Sequence, residues 1–116
     1  MKVQNIKHLA VEIQQLLNEN ISFSFKYKLN KLAKDVQILL EQIEETRIGL
    51  LEQYAVLNEA ENKYQFESDE NAEKFSKEYA EKLEEEIDLG YSFNINEFSN
   101  ITDASQYQFI FELIND

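Results

Sequence analysis

The sequence predicts an α+β domain, mainly α. It reads as a long antiparallel helical hairpin with a third helix, a small two-stranded sheet and a C-terminal helix, in a single domain over residues 1–116. Three observations predict it. Between Phe25 and Leu57, the residues Leu29, Leu32, Val36, Leu39, Ile43, Leu50, Tyr54 and Leu57 recur at helical spacing and share one stripe. The chain has no proline and only two glycines, which disfavours a turn-rich β-sandwich. Finally, Ile87, Leu89, Tyr91, Phe93 and Ile95 alternate with Asp88, Gly90, Ser92 and Asn94, the period of a strand.

In order along the chain, Val3, Ile6, Leu9, Ala10, Ile13, Leu16 and Leu17 predict a first helix over residues 2–18. Asn18, Glu19 and Asn20 supply turn chemistry. Ser22 or Ser24 can cap the long helix by accepting a hydrogen bond from its free amides. So short a connection makes the two helices antiparallel neighbours. At 1.5 Å per residue the second would run roughly 50 Å, about twice the first, so its distal stripe needs another cover. Gly49 lies inside it and permits a kink or a close helix approach.

Asn58 to Asn62 should end the long helix, and Tyr64 with Phe66 marks a short strand over Lys63–Glu67. Ser68 is placed to cap a third helix over residues 69–86, with Asp69 and Glu70 in the first turn where the dipole favours them. Its apolar seam is narrow: Ala72, Phe75, Tyr79 and Leu83. Glu70–Lys74, Glu73–Lys77 and Glu78–Lys82 are spaced for ion pairs on its solvent side. Residues 87–95 would pair with Tyr64–Phe66 and close over the distal long helix. Asn100 or Thr102 would cap a final helix carrying Tyr107, Ile110, Phe111 and Ile114.

Charge divides the chain. Residues 1–55 hold seven basic and seven acidic side chains; residues 56–116 hold four and sixteen, which accounts for the whole net charge of −12. An acidic half repels nucleic acid and anionic membranes, suits a basic protein partner, and otherwise serves as a solvated surface. Lys26, Lys28, Lys31 and Lys34 crowd the start of the long helix, with Phe23, Phe25 and Tyr27 between them. That interleaving occurs in nucleic-acid binders. The overall acidity argues against it, so neither direct nucleic-acid binding nor a membrane role is expected. The first residues lack the apolar core of a signal peptide, and no apolar run is long enough to span a bilayer. The expected location is the cytoplasm.

The chain has no cysteine, and its one histidine, His8, has no second ligand-forming partner type beside it. No Ser-His-Asp set, glycine-rich phosphate loop or HExxH occurs. Carboxylates are many, but Glu-x-x-His pairs of the kind used by di-metal bundles are missing. Glu84, Glu85 and Glu86 with Asp88 could gather a cation weakly, but a solvated helix end is the better reading of them. No cofactor, metal or catalytic residue is expected. Ile38, Ile48 and Val56 fall off the main stripe. With Glu84, Glu85 and Glu86 they are the candidate interaction residues, and the three aliphatics would suit a second subunit.

Three segments carry a family resemblance: EETRIGLLEQYA (Glu44–Ala55), FSKEYAEKLEEEIDL (Phe75–Leu89) and FSNITDASQYQFIFELI (Phe98–Ile114). Together they resemble a family of small bacteriophage proteins of uncharacterised function. In that family the segment after the long helix contains glycine, whereas Asn58–Gln65 has none. The resemblance implies phage origin, residence in the host cytoplasm and a non-enzymatic accessory role. The resulting expectation is a protein–protein interaction module with a host or viral partner, or a homo-oligomer. The competing expectation is an acidic inhibitor of a host nucleic-acid or defence enzyme, with residues 59–88 posing as phosphates.

Overall fold

A computed structural model describes residues 1–114. The molecule is elongated, 53 × 28 × 23 Å, because one helix runs nearly its full length. A 3-10 turn over Val3–Asn5 leads into α1 (Ile6–Leu17). Helix α2 (Phe23–Tyr54) returns antiparallel along it, as the hairpin spacing predicts. Ser22 is the cap: its hydroxyl accepts from the Phe25 amide at 3.2 Å. Then come β1 (Val56–Asn58), β2 (Lys63–Gln65) and α3 (Asp69–Glu84). The class is thus α+β and mainly α, with three α-helices and one two-stranded antiparallel sheet among the described residues.

The core sits at one end. Ile6, Leu9, Ile13 and Leu16 of α1 and Phe25, Leu29, Leu32 and Val36 of α2 are all buried. Phe93, Phe98, Tyr107 and Ile110 from the C-terminal segment seal that cluster. The Phe25 ring meets Phe98 and Phe93 edge-on, with centroids 5.0 and 5.5 Å apart. Beyond Val36 the α2 stripe is covered more thinly. Leu39, Ile43, Leu50 and Tyr54 are half-buried under α3, and α3 has no fully buried residue of its own. The excess length of α2 therefore forms, with the hairpin and α3, an arm standing out from the core.

Several expectations are corrected. The long helix stops at Tyr54 rather than Leu57, because Ala55 turns extended (φ −130°, ψ 163°) and starts the sheet. The sheet consequently pairs β2 with β1, Val56 opposite Gln65 and Asn58 opposite Lys63, and not with residues 87–95. The connection is local: the Asn58 side chain accepts from the Ala60 and Glu61 amides, and Asn62 takes the left-handed conformation (φ 54°) that asparagine tolerates. Leu57 is consequently 44% exposed.

Residues 87–94 form no strand, although their side chains do alternate: Ile87, Leu89, Tyr91 and Phe93 face inward and the residues between face water. They make a single strap across α2. The strap is pinned by the Tyr91 hydroxyl donating to Asp35 at 2.6 Å and by the Lys28 ammonium donating to the Ser92 carbonyl. Gly90, at φ 75°, interrupts any ladder. The alternation records a half-buried surface, and the strap meets it with isolated bridges at its two ends, Lys2 opposite Glu86 and Phe93 beside Ile114, in place of a sheet.

The expected C-terminal helix is replaced by 3-10 turns over Ile95–Phe98, Ala104–Gln106 and Ile110–Leu113. Local caps intercept the backbone. Asn94 accepts from the Asn96 amide at 2.9 Å while Glu97 accepts from the Asn94 amide, and Asp103 accepts from the Ser105 amide at 3.1 Å. Asn100 and Thr102 cap nothing among the described residues; Asp103 does so instead. Ser68 does cap α3 as expected, through the Asn71 amide at 3.1 Å.

Candidate functional site

The arm is where the charge goes. Residues 41–86 carry fifteen acidic and five basic side chains, a net −10, whereas residues 1–40 carry three acidic and six basic, a net +3. The acidic half read from the sequence is thus a spatial feature, concentrated on distal α2, the β-hairpin and α3. Few of these charges are paired within the chain. Glu44 takes the Arg47 guanidinium, whose hydrogen bonding holds its carboxyl below the usual range, and Glu70 takes Lys74 at 3.2 Å. Glu78 turns to the Tyr54 hydroxyl rather than to Lys82, and that hydrogen bond raises the tyrosine pKa. At the base of the hairpin Val56 is 52%, Leu57 44% and Phe66 37% exposed, while its tip is the polar turn over residues 59–62. Phe66 leans on Phe75 of α3, with ring centroids 5.5 Å apart, which fixes the hairpin to the arm.

The candidate residues do not converge. Ile38 is 52% exposed on the outer face of α2, Ile48 is half-buried further along the helix, and Val56 belongs to β1. Glu84, Glu85 and Glu86 lie at the exit of α3, where the fold uses them. Lys2 donates to Glu84 at 2.8 Å, which raises the lysine pKa, and the Met1 nitrogen lies 3.1 Å from Glu86. The Val3 amide bonds the Glu85 carbonyl at 2.9 Å, and the Ile87 amide bonds the Met1 carbonyl at 2.9 Å. Two short extended segments are therefore laced together there, and two of the three carboxylates serve that lacing.

One functional-looking carboxylate escaped the sequence reading. Glu12 lies on the apolar face of α1, between Leu9 and Ile13, and is 6% exposed. It accepts from the Phe109 amide at 3.0 Å and the Ile110 amide at 3.0 Å, capping the last 3-10 turn. A glutamate three residues after Leu9 and four before Leu16 was the available signal. All its visible partners are backbone donors, so it serves as a clasp. His8 stacks on Phe109, with centroids 5.2 Å apart.

Among the described residues no three His, Asp or Glu side chains gather to hold a metal. A cleft of about 200 Å³ between α2 and α3, bordered by Leu39, Ile43, Tyr79 and Leu83, is smaller than typical small-molecule pockets. No described helix is long and apolar enough to cross a membrane. What the arm presents is a dense negative field with exposed apolar side chains at the base of its hairpin. The chain matches no protein-family model, no curated protein and no solved structure.

Proposed function

We propose that this chain is a non-enzymatic protein–protein interaction module acting in the cytoplasm, whose acidic arm engages a basic partner. The observation that carries the reading is the placement of a net −10 on residues 41–86, which also expose the apolar side chains of Val56, Leu57 and Phe66 at the base of the hairpin. A field of that density speeds encounter with a positive surface, and apolar side chains at its centre supply the contact that holds. The likeness to small bacteriophage proteins supports a phage-encoded accessory, either a virion or assembly component or a binder of a host factor. The test compares tagged wild type with Val56→Asp/Phe66→Asp in pull-downs from the host, read by mass spectrometry. A partner recovered by the wild type and lost with the folded variant supports the reading. Equal recovery by both, or no partner, refutes it.

The confinement of charge to one arm also favours a second reading, in which the arm imitates a nucleic-acid backbone and inhibits a host nucleic-acid or defence enzyme. That reading requires affinity for a basic nuclease groove that falls steeply with salt. Binding equal at low and high salt rules it out.

A further inference from the structure

The outer face of α2, opposite the core, carries an order of residues that nothing inside the chain explains. Near its start come Phe23, 84% exposed, and Tyr27, 57% exposed. One turn on is Lys31, whose ammonium sits 4.6 Å from the Tyr27 ring centroid, and then Lys34. Ile38, 52% exposed, stands midway. Past it the same exposed stripe continues through Gln42, Glu45, Gly49 and Gln53. Before Ile38 the stripe is basic and aromatic; after it Glu45 is its one charged residue, with the exposed Glu41 and Glu52 beside it. Lys31, Lys34 and Glu45 make no ion pair among the described residues. Gly49 weakens the helix, yet a Cβ added there meets nothing within 4 Å.

We infer that this face binds a second copy of the same chain, antiparallel, with the two-fold axis at Ile38. The inference rests on reading the chain as an interaction module, and names one of its partners. A two-fold axis pairs each residue with its mirror along the stripe. About Ile38 that sets Lys31 against the partner copy's Glu45 and Lys34 beside its Gln42 and Glu41. It also places Tyr27 over Gly49, where a missing side chain admits a ring. Ile38 meets its own copy at the centre. The reverse arrangement fails: parallel helices would set lysine on lysine and glutamate on glutamate. Antiparallel pairing also lays each basic first third beside an acidic arm, over roughly 45 Å of helix.

Sedimentation equilibrium tests this directly. Wild type should run at twice the chain mass of 13.7 kDa, and Ile38→Asp at the single mass. Lys31→Glu and Glu45→Lys should each weaken association roughly tenfold or more, and the double variant Lys31→Glu/Glu45→Lys should recover it. Gly49→Leu should also weaken it, with the circular dichroism of the monomer unchanged. Because the chain has no cysteine, Ile38→Cys gives an unambiguous short-span cross-link between copies, which Glu73→Cys on α3 should not give. A wild type that stays monomeric up to about 1 mM, or a dimer indifferent to Ile38→Asp and to the charge swap, overturns the inference. The pull-down with the Val56 and Phe66 variant is read separately. Its partner retained with a monomeric protein removes the dimer and leaves the module.

Discussion

At the scale of single residues, two buried polar groups tie the C-terminal segment to the helical hairpin. Glu12 reaches across ninety-seven positions of sequence to hold the Phe109 and Ile110 amides. Removing it strands two shielded donors, so Glu12→Ala should destabilise the fold by about 3 kcal/mol in urea unfolding. Glu12→Gln, which keeps an acceptor without the charge, should lose about 1 kcal/mol. The other group is Tyr107, 1% exposed, whose hydroxyl donates to Glu19 at 3.0 Å. Burial first, and the Glu19 carboxylate second, push its pKa up to about 12 from 10.0. The native state therefore keeps this proton where the unfolded chain releases it. The stabilisation is complete below pH 10 and fades as pH rises towards 12, a loss of the order of 2–3 kcal/mol. Tyr107→Phe should flatten that alkaline decline in pH-dependent unfolding curves. An undiminished decline in the variant would assign the pH dependence to other groups.

At the scale of elements, the helices were legible because their signals are local. The stripe of α2, its Ser22 cap and the Ser68 cap of α3 are each contained within a few turns. What escaped depended on contacts far apart in sequence or on competition between local geometries. The hairpin begins at Val56, where Leu57 continues the helical spacing of α2 and both Val56 and Leu57 equally suit a strand. The alternation from Ile87 to Phe93 reported burial correctly and pairing wrongly. The last 3-10 turn depends on Glu12, which no reading of residues 100–114 alone could supply. Of the three aliphatics read as candidate interaction residues, Ile38 and Val56 are each 52% exposed and Ile48 is half-buried, whereas Phe23 at 84% and Tyr27 at 57% are more exposed than any of them. Gly49 offers the sharpest check at this scale. An added methyl meets open space, so Gly49→Ala should stabilise α2 by up to about 1 kcal/mol in thermal unfolding of dilute, monomeric protein. A drop in stability would reveal a neighbour to this residue within the chain.

Across the whole molecule, stability and charge are segregated to opposite ends. The fully buried side chains of α1 and proximal α2 lie at one end, and the acidic arm with its half-buried seam at the other. Hydrogen exchange should accordingly open α3 and the hairpin well before α1. Because the arm's excess charge repels itself, raising the ionic strength should slow exchange in α3 and leave α1 unchanged. Uniform exchange in both helices would show one cooperative unit. A last consequence follows from the shallow depression that Met1, Leu113 and Ile114 border together. Met1 and Ile114, the first and last described residues, thus lie near one another beside the lacing at Glu85. Splicing them with a brief flexible linker, and reopening the chain in the water-facing turn between Glu59 and Asn62, should produce a circular permutant with the parent's dichroism spectrum.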